Sequence, residues 1–313
     1  VNVELGSSKC EDLTHSEWLD KTIKLRQQYP ALSKLLPLLG ACLEGLESVL
    51  TGQRSPLDVI FPYGNTDLVS SVYGESEVSL FYNWILAQGV LEKAQLHQKN
   101  NLTNRPIRIL EIGAGTGASS EKIIQVMDQA GFDFEYYYTD IWDKLVDHAR
   151  HQYSDSKFNM IFRVLDISID PAIQGLTEHF DLIVATNVLH ATPSLQRSLL
   201  NIKKLLLPHG WLILNESVKL QEYSIYTFGL LPGWWNAADR ENRIDGSPLA
   251  TEDTWKRLVS DIGFHNVHTL VAKESVFSAQ MILAWIPTAA IDLRISPARQ
   301  VVETLVDGLT PYG

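Results

Sequence analysis

The strongest constraint on the fold begins at the turn Asn104-Arg105-Pro106, after which short β-rich apolar runs alternate with helical stretches. The runs cover residues 107–112, 134–138, 158–165, 181–186 and 211–214, while segments 119–130 and 195–207 carry the helical period. Strands that are apolar almost throughout must be covered on both faces. Helices between them supply that cover, so the expected fold is α/β around a mostly parallel sheet. Two further β-like runs, 266–271 and 277–285, flank a short 272–275 connection and predict an antiparallel hairpin closing one sheet edge. From about residue 287 the periodicity is lost, and 287–313 reads as a downstream linker.

The first hundred residues have no confident strand. Residues 1–15 are polar and unpatterned, as a linker would be, and 16–100 are helical in pattern. Leu32, Leu35, Leu36, Leu39, Leu43, Leu46 and Leu50 recur at three- and four-residue steps, as one buried helix face requires. Thr51-Gly52 supplies a stop and Pro62-Tyr63-Gly64-Asn65 a turn, before residues 78–96 resume the helical period. There is no internal repeat.

Composition then removes several function classes. The chain of 313 residues carries 26 Lys and Arg against 37 Asp and Glu, a net charge of −11. That balance argues against nucleic acid as a partner, since phosphate contact needs a basic surplus. No run of about 18 uncharged apolar residues occurs, so no membrane span is expected. Cys10 and Cys42, the two cysteines, have neither metal-ligand nor CxxC spacing, which predicts a reducing, cytoplasmic setting. A chain that starts at Val1 without a signal pattern and stops at Gly313 is expected to be a piece of a longer polypeptide.

Residues 108–119, Arg-Ile-Leu-Glu-Ile-Gly-Ala-Gly-Thr-Gly-Ala-Ser, run from a strand through a glycine turn into a helix. Gly113, Gly115 and Gly117 allow a tight turn and close approach of a ligand to the backbone. Gly113-x-Gly115-x-x-Ala118 also fits a dinucleotide fingerprint, so the loop alone does not choose the cofactor. Charge does. Glu111, two residues before the first glycine, would repel a pyrophosphate but suits a cation, and S-adenosylmethionine carries an ammonium and a sulfonium. Asp140 ends the next strand, where an acid can accept from both ribose hydroxyls. Asp166 ends the third and is placed to meet an adenine amino group, with Ile167 packing on the ring. Three acids at three successive strand ends favour the methyl donor over a nicotinamide.

These residues resemble the class I S-adenosylmethionine-dependent methyltransferases, and more narrowly the carbon methyltransferase domains embedded in modular polyketide synthases. The resemblance rests on residues 110–116, Tyr138-Thr-Asp140, Phe162-Arg-Val-Leu-Asp166, Asn187-Val-Leu-His-Ala-Thr192 and Phe228-Gly-Leu-Leu-Pro-Gly-Trp-Trp235. Upstream, Tyr29-Pro30, Val49-Leu-Thr-Gly52, Phe61-Pro62 and the stretch from Tyr73 to Asn83 are similar to the family's helical lid. Ala118-Ser119 departs from the family, where a further glycine is common. The resemblance implies a Rossmann-like, mostly parallel seven-stranded sheet over 101–286, a lid over 16–100 and a substrate insertion near 220–248. It also implies S-adenosylhomocysteine as product, Asn187 at the cofactor, and Tyr73, Phe228, Trp234 and Trp235 at the substrate. The implied partners are an acyl carrier protein with its phosphopantetheine-linked chain and the other domains of the same synthase.

His190 follows the fourth predicted strand and Glu216 ends the fifth. Neighbouring strands lie about 4.8 Å apart, close enough for residues at their ends to share a hydrogen bond. A carboxylate on one imidazole nitrogen fixes the tautomer and stabilises the imidazolium formed on proton capture. Abstraction of an acidic C–H beside a carbonyl, or of an enol O–H, needs such a pair, and both residues match the family's His–Glu dyad. The expected activity is therefore methylation of the α-carbon of a β-ketoacyl carrier intermediate. An oxygen methyltransferase of the same family and an inactive structural domain are the alternatives. The pairs His148/His151 and His265/His268 lack further ligands nearby, so no metal site is expected.

Overall fold

The computed structural model describes residues 15–28, 33–99, 105–270 and 280–286. Elements are numbered in chain order. The strands are β1 (Ile107–Ile112), β2 (Phe134–Asp140), β3 (Asn159–Val164), β4 (Phe180–Thr186), β5 (Leu206–Ser217), β6 (His265–Leu270) and β7 (Gln280–Ile286). They form one sheet in the order β3-β2-β1-β4-β5-β7-β6. The first five are mutually parallel, and β7 is antiparallel to both β5 and β6. The second strand of the expected hairpin thus slips between β5 and the edge strand β6. Of the linkers expected at 1–15 and 287–313, residues 1–14 and 287–313 lie outside the described residues, as does the 272–275 connection, while His15 begins a helix.

Strand side chains alternate between two cores. In β1, Ile107 and Ile109 join one cluster while Leu110 and Ile112 join the other; Trp211 and Ile213 against Leu212 and Leu214 do the same in β5. This two-sided burial explains the unbroken apolar runs. One face is covered by α8 (Leu195–Leu205) and α10 (Glu252–Asp261), capped at their starts by Ser194 and Thr251 side chains. The other is covered by α5 (Glu77–Lys99), α6 (Ala118–Gln129) and α7 (Asp143–Gln152). No helix among the described residues is long and apolar enough to cross a membrane.

The division expected at residue 100 cuts through this packing. Tyr82, Leu86, Ala87, Val90 and Ala94 of α5 are buried in the same cluster as β1, β4 and β5, so α5 belongs to the sheet. The break in packing falls instead at Ser76. Before it come α1 (His15–Gln28), α2 (Leu36–Leu50), α3 (Pro56–Ile60) and α4 (Asp67–Glu75). Leu38, Cys42, Val59, Ile60, Val69 and Val72 from α2–α4 form a third, separate core. Phe228, Leu230 and Leu231 pack on that core from the segment after β5, which also carries the short helix α9 (Glu222–Tyr226).

The strand order reverses between β1 and β4, and ligands of such sheets lie in the crevice at the carboxyl ends there. The glycine loop leaves β1 at that point, and the segment from Asn187 to His190 leaves β4 beside it.

Candidate active site

The glycine loop is held from β2. Gly115 donates its N–H to Asp140 Oδ2 at 2.9 Å and accepts at its carbonyl from the Tyr138 hydroxyl at 2.8 Å. The Ala114 N–H donates to the Thr139 carbonyl at 2.9 Å. Gly113 has φ +63°, and a Cβ there would lie 2.2 Å from Val188 Cγ2, so only glycine fits. Ala118, where the family commonly has a further glycine, lines the cofactor cavity opposite Gly74 of α4.

A cavity of about 150 Å³ opens over this loop, lined by Glu111, Gly113, Gly115, Ser119, Asn187 and Asn215, with Tyr73, Ser79 and Asn83 from the helical side. No lysine or arginine lines it among the described residues. Carboxylate and amide acceptors without a counter-cation suit an ammonium and a sulfonium and disfavour a pyrophosphate. The residues present fit S-adenosylmethionine.

Glu111 is more enclosed than the sequence implied. It is 1% exposed, and the hydroxyls of Ser120 and Tyr136 both donate to its Oε2, the latter at 2.7 Å. Burial pushes its carboxyl up from 4.5 to about 7, against the pull of those hydroxyls. Ionising this group is costlier in the folded state, so its contribution to stability is greatest below pH 4.5. It declines as the pH rises to about 7. Glu111→Gln is expected to gain up to about 3 kcal/mol on the native protein between pH 4.5 and 7.5 in urea unfolding. Parallel pH dependences in the two proteins would remove Glu111 as the cause.

Asp140 spends both oxygens on the loops, since the Trp142 N–H donates to Oδ1 at 2.9 Å while Gly115 holds Oδ2. Burial raises its pKa, opposed by these backbone N–H groups. A carboxylate has about four acceptor sites, so capacity remains for a ligand hydroxyl. Gly117, with φ +83°, starts α6 behind the cavity wall.

The expected adenine contact of Ile167 is corrected. Ile167 is 3% exposed and packs in the core, leaving no face for a ring, whereas Ile141, directly after Asp140, is 56% exposed. Its signal in the sequence was an apolar residue directly following a strand-end acid. Asp166 stands outside the cavity lining, its Oδ1 accepting from the Ser168 N–H at 2.9 Å and hydroxyl at 2.6 Å.

A second cavity, of about 320 Å³, adjoins the first at Tyr73, Ser79 and Asn187, which line both. His190 lies on its wall with Phe228, Trp234, Tyr223 and Leu231. Phe228 packs against Tyr73 with ring centroids 5.7 Å apart, and burial raises the Tyr73 phenol so that it stays protonated. Trp235 points elsewhere. It is exposed, does not line the cavity, and donates its indole N–H to the Gly229 carbonyl at 2.9 Å.

His190 Nδ1 lies 2.6 Å from Oε2 of the fully buried Glu216. The other oxygen, Oε1, accepts from the backbone N–H groups of Val188 and Leu189 at 3.2 and 2.8 Å. Since a carboxylate only accepts, this contact puts a proton on Nδ1, and in the neutral imidazole the lone pair is then at Nε2. Asn187, at φ +51°, turns the chain out of β4, with its Oδ1 accepting the Ser217 N–H and hydroxyl, each at 3.0 Å. A buried relay also joins the two sides: Ser119 bonds both Asn83 Oδ1 and Thr186, and Asn83 Nδ2 donates to the Tyr73 carbonyl at 3.1 Å. Nothing local in the sequence announced it. No group of three or more His, Cys, Asp or Glu that could hold a metal ion occurs among the described residues.

A sheet of this order, with a glycine loop after β1, strand-end acids and a cation-compatible cavity, defines a class I S-adenosylmethionine-dependent methyltransferase. The family model described as "Methyltransferase domain" matches residues 110–212. The CurJ carbon methyltransferase crystal structure is 34% identical, covering 87% of this chain and 71% of that one, with a TM-score of 0.78. The trans-methyltransferase CalH, solved in complex with SAH, is 27% identical over 88% of this chain and 74% of its own, with a TM-score of 0.71. Polyketide synthase PksR of Bacillus subtilis (strain 168) is 34% identical over 270 residues, 86% of this chain and 10% of that protein. This chain thus spans about a tenth of the length of that synthase. The chain belongs to the polyketide synthase carbon methyltransferase family.

Proposed function

We propose that the chain methylates the α-carbon of a β-ketoacyl thioester presented on the phosphopantetheine arm of an acyl carrier protein, within a larger synthase whose other domains flank it. The observation that supports this most is the place of His190. It is held by Glu216 on the wall of the second cavity, beside the three residues shared with the cofactor cavity.

An α-carbon between two carbonyls has an acidic C–H. His190 Nε2 takes that proton, and Glu216, hydrogen-bonded to Nδ1, stabilises the imidazolium that results. S-adenosylmethionine, when bound, supplies an electrophilic methyl for the carbanion. The protein contributes position and dryness: Tyr73, Phe228 and Trp234 wall the acyl chain, and Asn187 stands where the two cavities meet. Glu111, Gly113, Gly115 and Gly117 are assigned to the methionine end, Asp140 to the ribose and Asp166 to the adenine amino group. Trp235 is assigned to the outer face of the insertion.

Asp140→Ala is expected to weaken S-adenosylmethionine binding by about 1.5–3 kcal/mol, because it removes a charged acceptor and frees Gly115. Calorimetry checks this, and unchanged affinity takes Asp140 out of the site. The function itself is tested by mass spectrometry with matched β-ketoacyl and β-hydroxyacyl carrier proteins. The proposal expects one added methyl on the first and none on the second; methylation of the hydroxyacyl carrier alone would replace it with oxygen transfer.

A further inference from the structure

Arg243 lies in the insertion after β5, far in sequence from the dyad, yet its side chain is 2% exposed and wholly engaged around it. Nη1 donates to the His190 carbonyl at 2.7 Å and to the Pro248 carbonyl at 2.6 Å. Nη2 donates to the Thr192 carbonyl at 2.8 Å, and Nε to Asp239 Oδ1 at 2.7 Å. Asp239 in turn accepts the Leu195 N–H at 2.8 Å on Oδ2, fixing the start of α8.

The turn that carries His190 is therefore gripped from two sides. Its N–H groups at Val188 and Leu189 go to Glu216, and its carbonyls at His190 and Thr192 go to Arg243. Glu216 fixes the ring through Nδ1, but a ring held at one nitrogen still moves with its backbone. Arg243 fixes that backbone. The same insertion supplies Phe228 and Trp234 to the acyl cavity, so the wall that meets the substrate and the base share one anchor.

We infer that Arg243 is a positioning residue for His190: its guanidinium sets the height and tilt of the imidazole over the acyl cavity and ties them to the insertion. This rests on the reading of His190 as the base. A planar fork of five N–H donors can serve three carbonyls and a carboxylate together, whereas a lysine ammonium has three donors on a flexible stem. Misplacement of a reacting group by about 1 Å can cost a factor of about 10² in rate.

The test uses the full chain, S-adenosylmethionine and a β-ketoacyl carrier protein, with His190→Ala run in parallel. Arg243→Lys is expected to lower the single-turnover rate about 10–100-fold while cofactor affinity and the KM for the carrier substrate stay within about twofold. Millimolar guanidinium is expected to restore part of the rate to Arg243→Ala and none to His190→Ala. A merely structural residue would move stability and both affinities together and would give no such rescue. Should Arg243→Ala fail to fold, Asp239→Asn, which loosens the guanidinium while nearly conserving shape, is expected to lower the rate about 3–10-fold at unchanged cofactor affinity. Wild-type rates in Arg243→Lys and Asp239→Asn with an inactive His190→Ala overturn the positioning role and leave the base in place. A wild-type rate in His190→Ala overturns the reading beneath it.

Discussion

Replacing His190 with alanine is expected to lower the rate of methyl transfer by about 10²–10⁴, the usual worth of a positioned general base. Affinity for S-adenosylmethionine is expected to stay within about twofold, because His190 lines the acyl cavity and not the cofactor cavity. Glu216→Gln is expected to cost less in rate. An amide oxygen can still accept from Nδ1–H, but it stabilises the imidazolium poorly. The pair act as one unit through a 2.6 Å contact, so the double variant is expected to be little worse than His190→Ala. Single-turnover kinetics with quantified product decides this. Multiplying losses would show two independent groups, and near-full activity in His190→Ala would mean that the proton leaves by another route.

The second large effect is expected at Gly113. An added Cβ would stand 2.2 Å from Val188 Cγ2 and 2.8 Å from Val188 Cβ, on a residue whose φ is +63°. Left-handed backbone costs an alanine about 1–2 kcal/mol, and overpacking adds about 1–3 kcal/mol. Val188 cannot yield freely, since its N–H is one of the two that hold Glu216. Gly113→Ala is thus expected to lose about 2–5 kcal/mol of stability and to disturb the cofactor loop and the dyad turn together. Gly131 is the contrast: it also has positive φ, +72°, but nothing lies within 4 Å of its ideal Cβ. Gly131→Ala is expected to show the backbone cost alone. Urea unfolding and cofactor calorimetry on both variants test the difference, and equal losses would refute the clash.

The sheet was legible because burial on both faces leaves strands nearly all apolar, and the glycine turn and strand-end acids mark the crevice locally. The dyad was legible because β4 and β5 are neighbours, so residues at their ends must be close. What failed to show were matters of partnership. The helical period of α5 is the same whether it covers a sheet or a lid, and only packing assigns it to the sheet. Ile141 follows the acid that ends β2 and Ile167 an acid two residues beyond the end of β3, and no local pattern separates the exposed one from the buried one. Arg243 sits in an irregular segment, and its partners are backbone carbonyls, which carry no sequence signature. Trp234 and Trp235 are adjacent in a single 3-10 turn, so only one can face inward.

The most direct test of the account is the position of the transferred methyl. S-adenosylmethionine labelled with ¹³C at the methyl, a β-ketoacyl carrier protein and the full chain are combined, and the released acyl product is read by NMR. A methyl bonded to the α-carbon, appearing at a rate that His190→Ala lowers by about 10²–10⁴, is the predicted result. A methoxy carbon on the β-oxygen would contradict carbon methylation, and α-methyl product formed equally well without His190 would contradict the dyad.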